Sequence, residues 1–133
     1  MSKERELFNA ALKVQKNAYA PYSNFLVGAA LRSSSGKIYT GCNVENIAYP
    51  EGTCAEAGAI ASMIAGGDRE IKELTVVADS SKPVAPCGGC RQKISEFGSS
   101  SIVISLATTS GEIISTSLGE LLPGAFDQSF MKL

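Results

Sequence analysis

Histidine is absent from this 133-residue chain, and that absence excludes more chemistry than any other feature. Histidine is the commonest metal ligand and the side chain best suited to proton transfer near neutral pH. Without it a Ser-His-Asp or Cys-His mechanism is impossible. Any metal must be held by thiolates or carboxylates, and any proton shuttle must be Glu, Asp, Lys, Tyr or Cys. Tryptophan is also missing. No apolar run approaches the ~20 residues that span a bilayer, so no membrane partner is expected. The opening segment Met1-Ser2-Lys3-Glu4-Arg5-Glu6 lacks the apolar stretch of a secretory signal, which points to the cytoplasm. With 12 Lys and Arg against 13 Asp and Glu, there is no basic footprint for nucleic acid.

What is present suits one soluble domain over residues 1–133. Hydrophobic residues make up 44% and charged residues 19%, enough for one core. Leu7, Ala11, Val14 and Ala18 recur at helical spacing and predict a helix over 2–19, with Ser2 placed to cap it. Pro21 ends it. Strands are expected over 25–31 and 37–43, joined by a turn at Gly36, followed by an irregular loop to Gly52. An alanine-rich helix is expected over 54–65, a doubly buried strand over 71–78, a helix over 87–97, a second buried strand over 101–107 and an edge strand over 112–116. Ser117-Leu118-Gly119-Glu120 reads as a capping box for a brief helix, and 126–133 as an extended tail. The order α-β-β-α-β-α-β-β-α predicts an α/β fold: a single mixed β-sheet of about five strands flanked by helices.

The chemistry gathers on four cysteines. In a reducing compartment these point to metal or catalysis rather than disulfides. Cys87 and Cys90 are spaced to grip one ion from a single turn, and Cys54 can join them from another element. Cys42 falls on a predicted strand without a partner at ligand spacing and reads as a small buried hydrophobe. Three thiolates leave one coordination position open, as in catalytic rather than structural zinc sites. Both cysteine segments precede helices, whose positive N-termini favour thiolates. Glu56 is the proton shuttle expected beside the ion. Arg91, next to Cys90, is expected to offset the thiolate charge, with its N–H groups aimed at a sulfur.

Cys54-Ala55-Glu56 followed by Pro86-Cys87-Gly88-Gly89-Cys90 resembles the zinc nucleoside deaminase signature. Tyr19-Ala20-Pro21-Tyr22-Ser23, Phe25, Val27-Gly28-Ala29-Ala30, Gly41-Cys42-Asn43-Val44-Glu45-Asn46 and Glu120-Leu121-Leu122-Pro123-Gly124-Ala125-Phe126 extend the likeness to the small homotetrameric cytidine deaminases over nearly the whole chain. The resemblance implies an α-β-α sandwich and the zinc-dependent hydrolytic deamination of cytidine and deoxycytidine, a pyrimidine salvage reaction. It implies one zinc per subunit on Cys54, Cys87 and Cys90, with Glu56 as the shuttle. It implies Asn43 and Glu45 on the ribose, Phe25 and Ala55 near the nucleoside, Tyr49 near a subunit boundary, and Phe126 stacked on the pyrimidine in a neighbouring subunit's site. Members with three cysteine ligands often carry arginine directly after the glutamate. Here that position is Ala57, so Arg91 is expected to compensate alone.

Two other deaminase readings keep the chemistry and change the substrate: a blasticidin-type enzyme, and an editing enzyme acting on nucleic acid. The acidic balance opposes a polynucleotide. A structural zinc module would need a fourth ligand, for which Cys42 is the sole cysteine left. A thiol-redox protein using Cys87 and Cys90 would leave Cys54 and Glu56 without a role.

Overall fold

In the computed structural model, which describes residues 3–131, five strands form one sheet: β1 (Val27–Ser33), β2 (Ile38–Cys42), β3 (Ile71–Ala78), β4 (Val103–Thr108) and β5 (Ile113–Ser117). Their spatial order is β2-β1-β3-β4-β5. β3 and β4 are parallel, and every other pair is antiparallel. The sheet is therefore mixed. β3 lies at its centre and has five consecutive buried residues from Leu74 to Ala78, as its apolar run requires.

Among the described residues, four α-helices cover the two faces: α1 (Lys3–Gln15), α2 (Ala55–Ala65), α3 (Gly88–Phe97) and the single turn α4 (Leu118–Leu121). Successive strand residues point to opposite faces, and the core divides accordingly. Ala30, Val77 and Ala107 pack with Leu7, Phe8 and Ala11 of α1. Ala29, Leu31, Leu74, Val76, Ile104 and Leu106 pack with Ala55, Ala59 and Met63 of α2 and Ile94 of α3. Gly28 lets α1 lie directly on β1, because a Cβ there would come within 2.2 Å of the Ala11 carbonyl oxygen.

Several boundaries differ from the sequence reading, each for a tertiary reason. α1 ends at Gln15, not at residue 19. The Gln15 amide donates to the Leu26 carbonyl, while Tyr19 forms a short bridge with Val44. β1 starts at Val27, not at Phe25. The Asn43 side chain occupies the groups a ladder would use, accepting from Val27 N–H and donating to the Phe25 carbonyl. Only half the capping box forms: Ser117 Oγ accepts from the Glu120 N–H, whereas the Glu120 carboxylate accepts from Thr116 Oγ1. The tail contains a 3₁₀ turn over Gln128–Phe130 and so is not wholly extended. Ser2 and the last two residues of the tail lie outside the described residues.

Candidate active site

Beyond the carboxyl end of β3, the first turns of α2 and α3 converge. Cys54 and Cys87 occupy the N-cap positions of these helices, and Cys90 lies in the first turn of α3. Their sulfurs all lie within 4.8 Å of one another. Three tetrahedral thiolate ligands at ~2.3 Å from one ion lie just under 4 Å apart, so a small adjustment closes the set on a metal. Cys42, on β2, does not join this group.

Burial is the main cause that pushes the Cys54 and Cys90 thiols above the ordinary thiol range. The Cys90 backbone N–H holds Cys87 below it. Three adjacent thiols cannot all ionise cheaply without a cation between them. The donor set therefore fits a divalent ion suited to sulfur, such as zinc. Glu56, one residue into α2, is 4% exposed. Burial raises its carboxyl above the usual carboxylate range, while its own backbone N–H, Cys90 and the charge of Lys93 act the other way.

These groups form one wall of a cleft of about 340 Å³, also lined by Phe25, Asn43, Glu45, Ala55, Val84 and Pro86. Such a volume suits a small-molecule ligand. The Asn43–Glu45 segment is locked to Cys54 through backbone pairing. Val44 exchanges two hydrogen bonds with Thr53, at 3.0 and 2.9 Å, and Tyr19 bonds Asn43 and Glu45 from the other side. Glu45 Oε1 accepts from the Tyr22 and Ser23 N–H groups, and its Oε2 accepts from Ser23 Oγ. The Ser23 hydroxyl is the leading cause that holds the Glu45 carboxyl below its ordinary range. Asn43 and Glu45 thus face the cleft and also fasten its rim.

Arg91 sits differently from expectation. Its Nε donates to the Pro86 carbonyl at 2.7 Å and one terminal nitrogen to the Leu121 carbonyl at 2.8 Å. The sequence reading aimed this guanidinium at a sulfur; those bonds instead tie the cysteine turn to the end of α4. Tyr49 is 71% exposed and packs against Tyr22. Phe126 is 62% exposed, stacks on Phe130, and donates nothing to its own chain's cleft. Sequence reasoning missed Lys93, Val84 and the Val44–Thr53 clasp. The first two carry no motif, and the third is a backbone pairing that side-chain identity does not encode.

The profile of the cytidine and deoxycytidylate deaminase zinc-binding region matches residues 1–106. A cytidine deaminase from Sporosarcina psychrophila is 46% identical over 123 residues, covering 92% of this chain and 90% of the relative. One from Halalkalibacterium halodurans is 40% identical over 120 residues, covering 90% and 91%. The crystal structure of a cytidine deaminase from Burkholderia pseudomallei superposes with a TM-score of 0.89 at 44% identity, over 95% of this chain and all of the other. The zinc-binding match spans all of α2 and α3, with the sulfur cluster and the buried glutamate between them. The chain belongs to the zinc-binding cytidine and deoxycytidylate deaminase family.

Proposed function

We propose that this protein is a zinc-dependent hydrolase that converts cytidine and deoxycytidine to uridine and deoxyuridine with release of ammonia. The observation that carries this reading is the grouping of three cysteine sulfurs within 4.8 Å beside the buried carboxylate of Glu56. A bound zinc ion supplies Lewis-acid chemistry that makes water a competent nucleophile near neutral pH. Cys54, Cys87 and Cys90 would hold the ion. Glu56 takes a proton from the attacking water as oxygen bonds to the amino-bearing carbon. It then returns that proton to the departing nitrogen, and the C–N bond breaks. Burial of Glu56 favours its protonated form between the two transfers. Asn43 and Glu45 receive the sugar hydroxyls, Ala55 lines the base end, and Phe25 closes the cleft's apolar side and excludes water.

The working unit is a homotetramer of single-domain chains, with one zinc per subunit and with Phe126 and Tyr49 lent to neighbouring sites. Two exposed aromatics that leave their own chain's cleft unlined support this arrangement, since aromatics are enriched in interfaces. Three thiols that must stay reduced to hold metal favour the cytoplasm, where pyrimidine nucleoside salvage takes place.

The test is to add cytidine to zinc-loaded protein and follow the absorbance change as uridine forms. The wild type should turn over, and Glu56→Gln should fall by about 10²–10⁴-fold with its zinc retained. An inactive wild type with zinc bound would defeat the reading. Sedimentation together with Phe126→Ala tests the shared site: a monomer, or unchanged kcat/KM in that variant, would remove it.

A further inference from the structure

The segment Tyr22-Ser23-Asn24-Phe25 leads into the cleft, and one hydroxyl joins two of the cleft's walls. Asn24 adopts the left-handed region, with φ 58°, which asparagine tolerates better than most residues. Its N–H donates to the Ala20 carbonyl at 2.9 Å. Across the turn so made, Ser23 Oγ accepts from the Phe25 N–H at 3.0 Å. The same hydroxyl donates to Glu45 Oε2, while Glu45 Oε1 accepts from the N–H groups of Tyr22 at 3.0 Å and Ser23 at 3.2 Å. Phe25 and Glu45 line the cleft. Ser23 lines instead an adjoining hollow of about 320 Å³, whose wall Glu45 also forms.

A carboxylate offers about four acceptor positions. Among the described residues, donors fill two of those on Glu45 Oε1 and one on Oε2, which leaves Oε2 one position for a ligand. We propose that Ser23 is a positioning residue for sugar recognition: by donating to Glu45 Oε2 and accepting from the Phe25 N–H, it aims the remaining acceptor position of Glu45 at a sugar hydroxyl. Without that hydroxyl, the two N–H bonds hold Oε1 alone, and the carboxylate is free to turn about it. The Ser23 hydroxyl is also the leading cause of the lowered Glu45 carboxyl, which keeps the group a pure acceptor. Water competes for an exposed carboxylate. Three donors carried on one short turn meet that competition because they are arranged before the ligand arrives, which lowers the ordering cost of binding.

The inference rests on the reading of Glu45 as a sugar ligand, and the experiment separates the two. Zinc-loaded wild type, Glu45→Gln, Ser23→Ala and Ser23→Thr are compared on cytidine and on 2′,3′-dideoxycytidine, which lacks the two hydroxyls borne on the sugar ring. Glu45→Gln should raise KM for cytidine and spare the dideoxy substrate; no difference from wild type on either would sink the sugar reading, and this inference with it. Ser23→Ala should raise KM for cytidine about fivefold to tenfold with kcat nearly held, and should shift KM for the dideoxy substrate by less than about twofold. Calorimetry should show the same loss of affinity for uridine and none for 2′,3′-dideoxyuridine. Ser23→Thr keeps the hydroxyl on an exposed side chain and should match wild type. With Glu45→Gln behaving as expected, three results would overturn the proposal: an unchanged KM in Ser23→Ala, equal rises on both substrates, or a threonine variant no better than the alanine one.

Discussion

Gly41 of β2 and Gly58 of α2 meet backbone to backbone. A Cβ on Gly58 would lie 3.3 Å from the Gly41 Cα, and one on Gly41 would lie 2.3 Å from Ala59 N and 2.5 Å from the Ala55 carbonyl oxygen. No real Cβ tolerates the second set of contacts. The pair therefore fixes the height of α2 above the sheet, and with it the positions of Cys54 and Glu56. Gly41→Ala should lift the helix, cost about 1–3 kcal/mol of stability and loosen zinc binding. Denaturant titration and metal analysis would show both; wild-type values would refute the role assigned to this contact.

Arg91 spans two carbonyls that lie 35 residues apart in sequence, Pro86 and Leu121. A lysine can reach one of them but cannot present a fork to both. Arg91→Lys should lose about 1–2 kcal/mol and Arg91→Ala more, since each leaves a carbonyl short of a partner. Melting of the metal-free variants, which removes any contribution through zinc, should order them wild type, Lys, Ala. An Arg91→Ala protein as stable as wild type would show that the bridge contributes nothing.

Asn43 uses its amide to join Phe25 and Val27, and it also faces the cleft. Asn43→Ala should therefore show two effects at once: a loss of about 2 kcal/mol in stability and a rise in KM for cytidine as the rim loosens. Steady-state kinetics beside a melting curve would separate them. A changed KM at unchanged stability would assign Asn43 to the sugar alone.

Asp68 gives a pH-dependent test away from the metal. The hydroxyls of Ser35, Ser33 and Tyr39 donate to its carboxylate and hold its carboxyl below the ordinary value of 3.8, with Ser35 the largest cause. A carboxyl depressed in the native state stabilises above its unfolded value and loses that contribution as pH falls through the folded one. The same contact raises the Tyr39 phenol above 10.0, chiefly through the hydrogen bond to Asp68. That contribution is full below the unfolded value and fades as pH rises through the folded one. The melting temperature of Asp68→Asn should lie below wild type by a constant gap from about pH 5 to pH 9. The gap should close below about pH 4 and again above about pH 10. A pH-independent gap would mean that the carboxylate's charge plays no part.

The site's donor set was legible because its chemistry is local. Cys87 and Cys90 share one turn, Cys54 and Glu56 share another, and the lack of histidine left few other assignments. The element order was legible as well, since β3 and β4 announce burial in their apolar runs and α2 in its alanines. The ends of elements were not. Gln15, Tyr19 and Asn43 stop or delay elements through bonds to residues distant in sequence, which no local propensity records.

With no histidine, composition alone confined any metal site to thiolate and carboxylate ligands, and spacing alone grouped the cysteines into two helix starts. Tertiary structure decided what sequence spacing cannot carry. It brought the two helix starts to one end of β3 and turned Arg91 onto two carbonyls. It also left Phe126 and Tyr49 outside their own chain's cleft. The reason is physical: ligand type follows from side-chain chemistry, whereas charge balance and contact follow from distance, and distance exists only after the sheet has drawn α2 and α3 together.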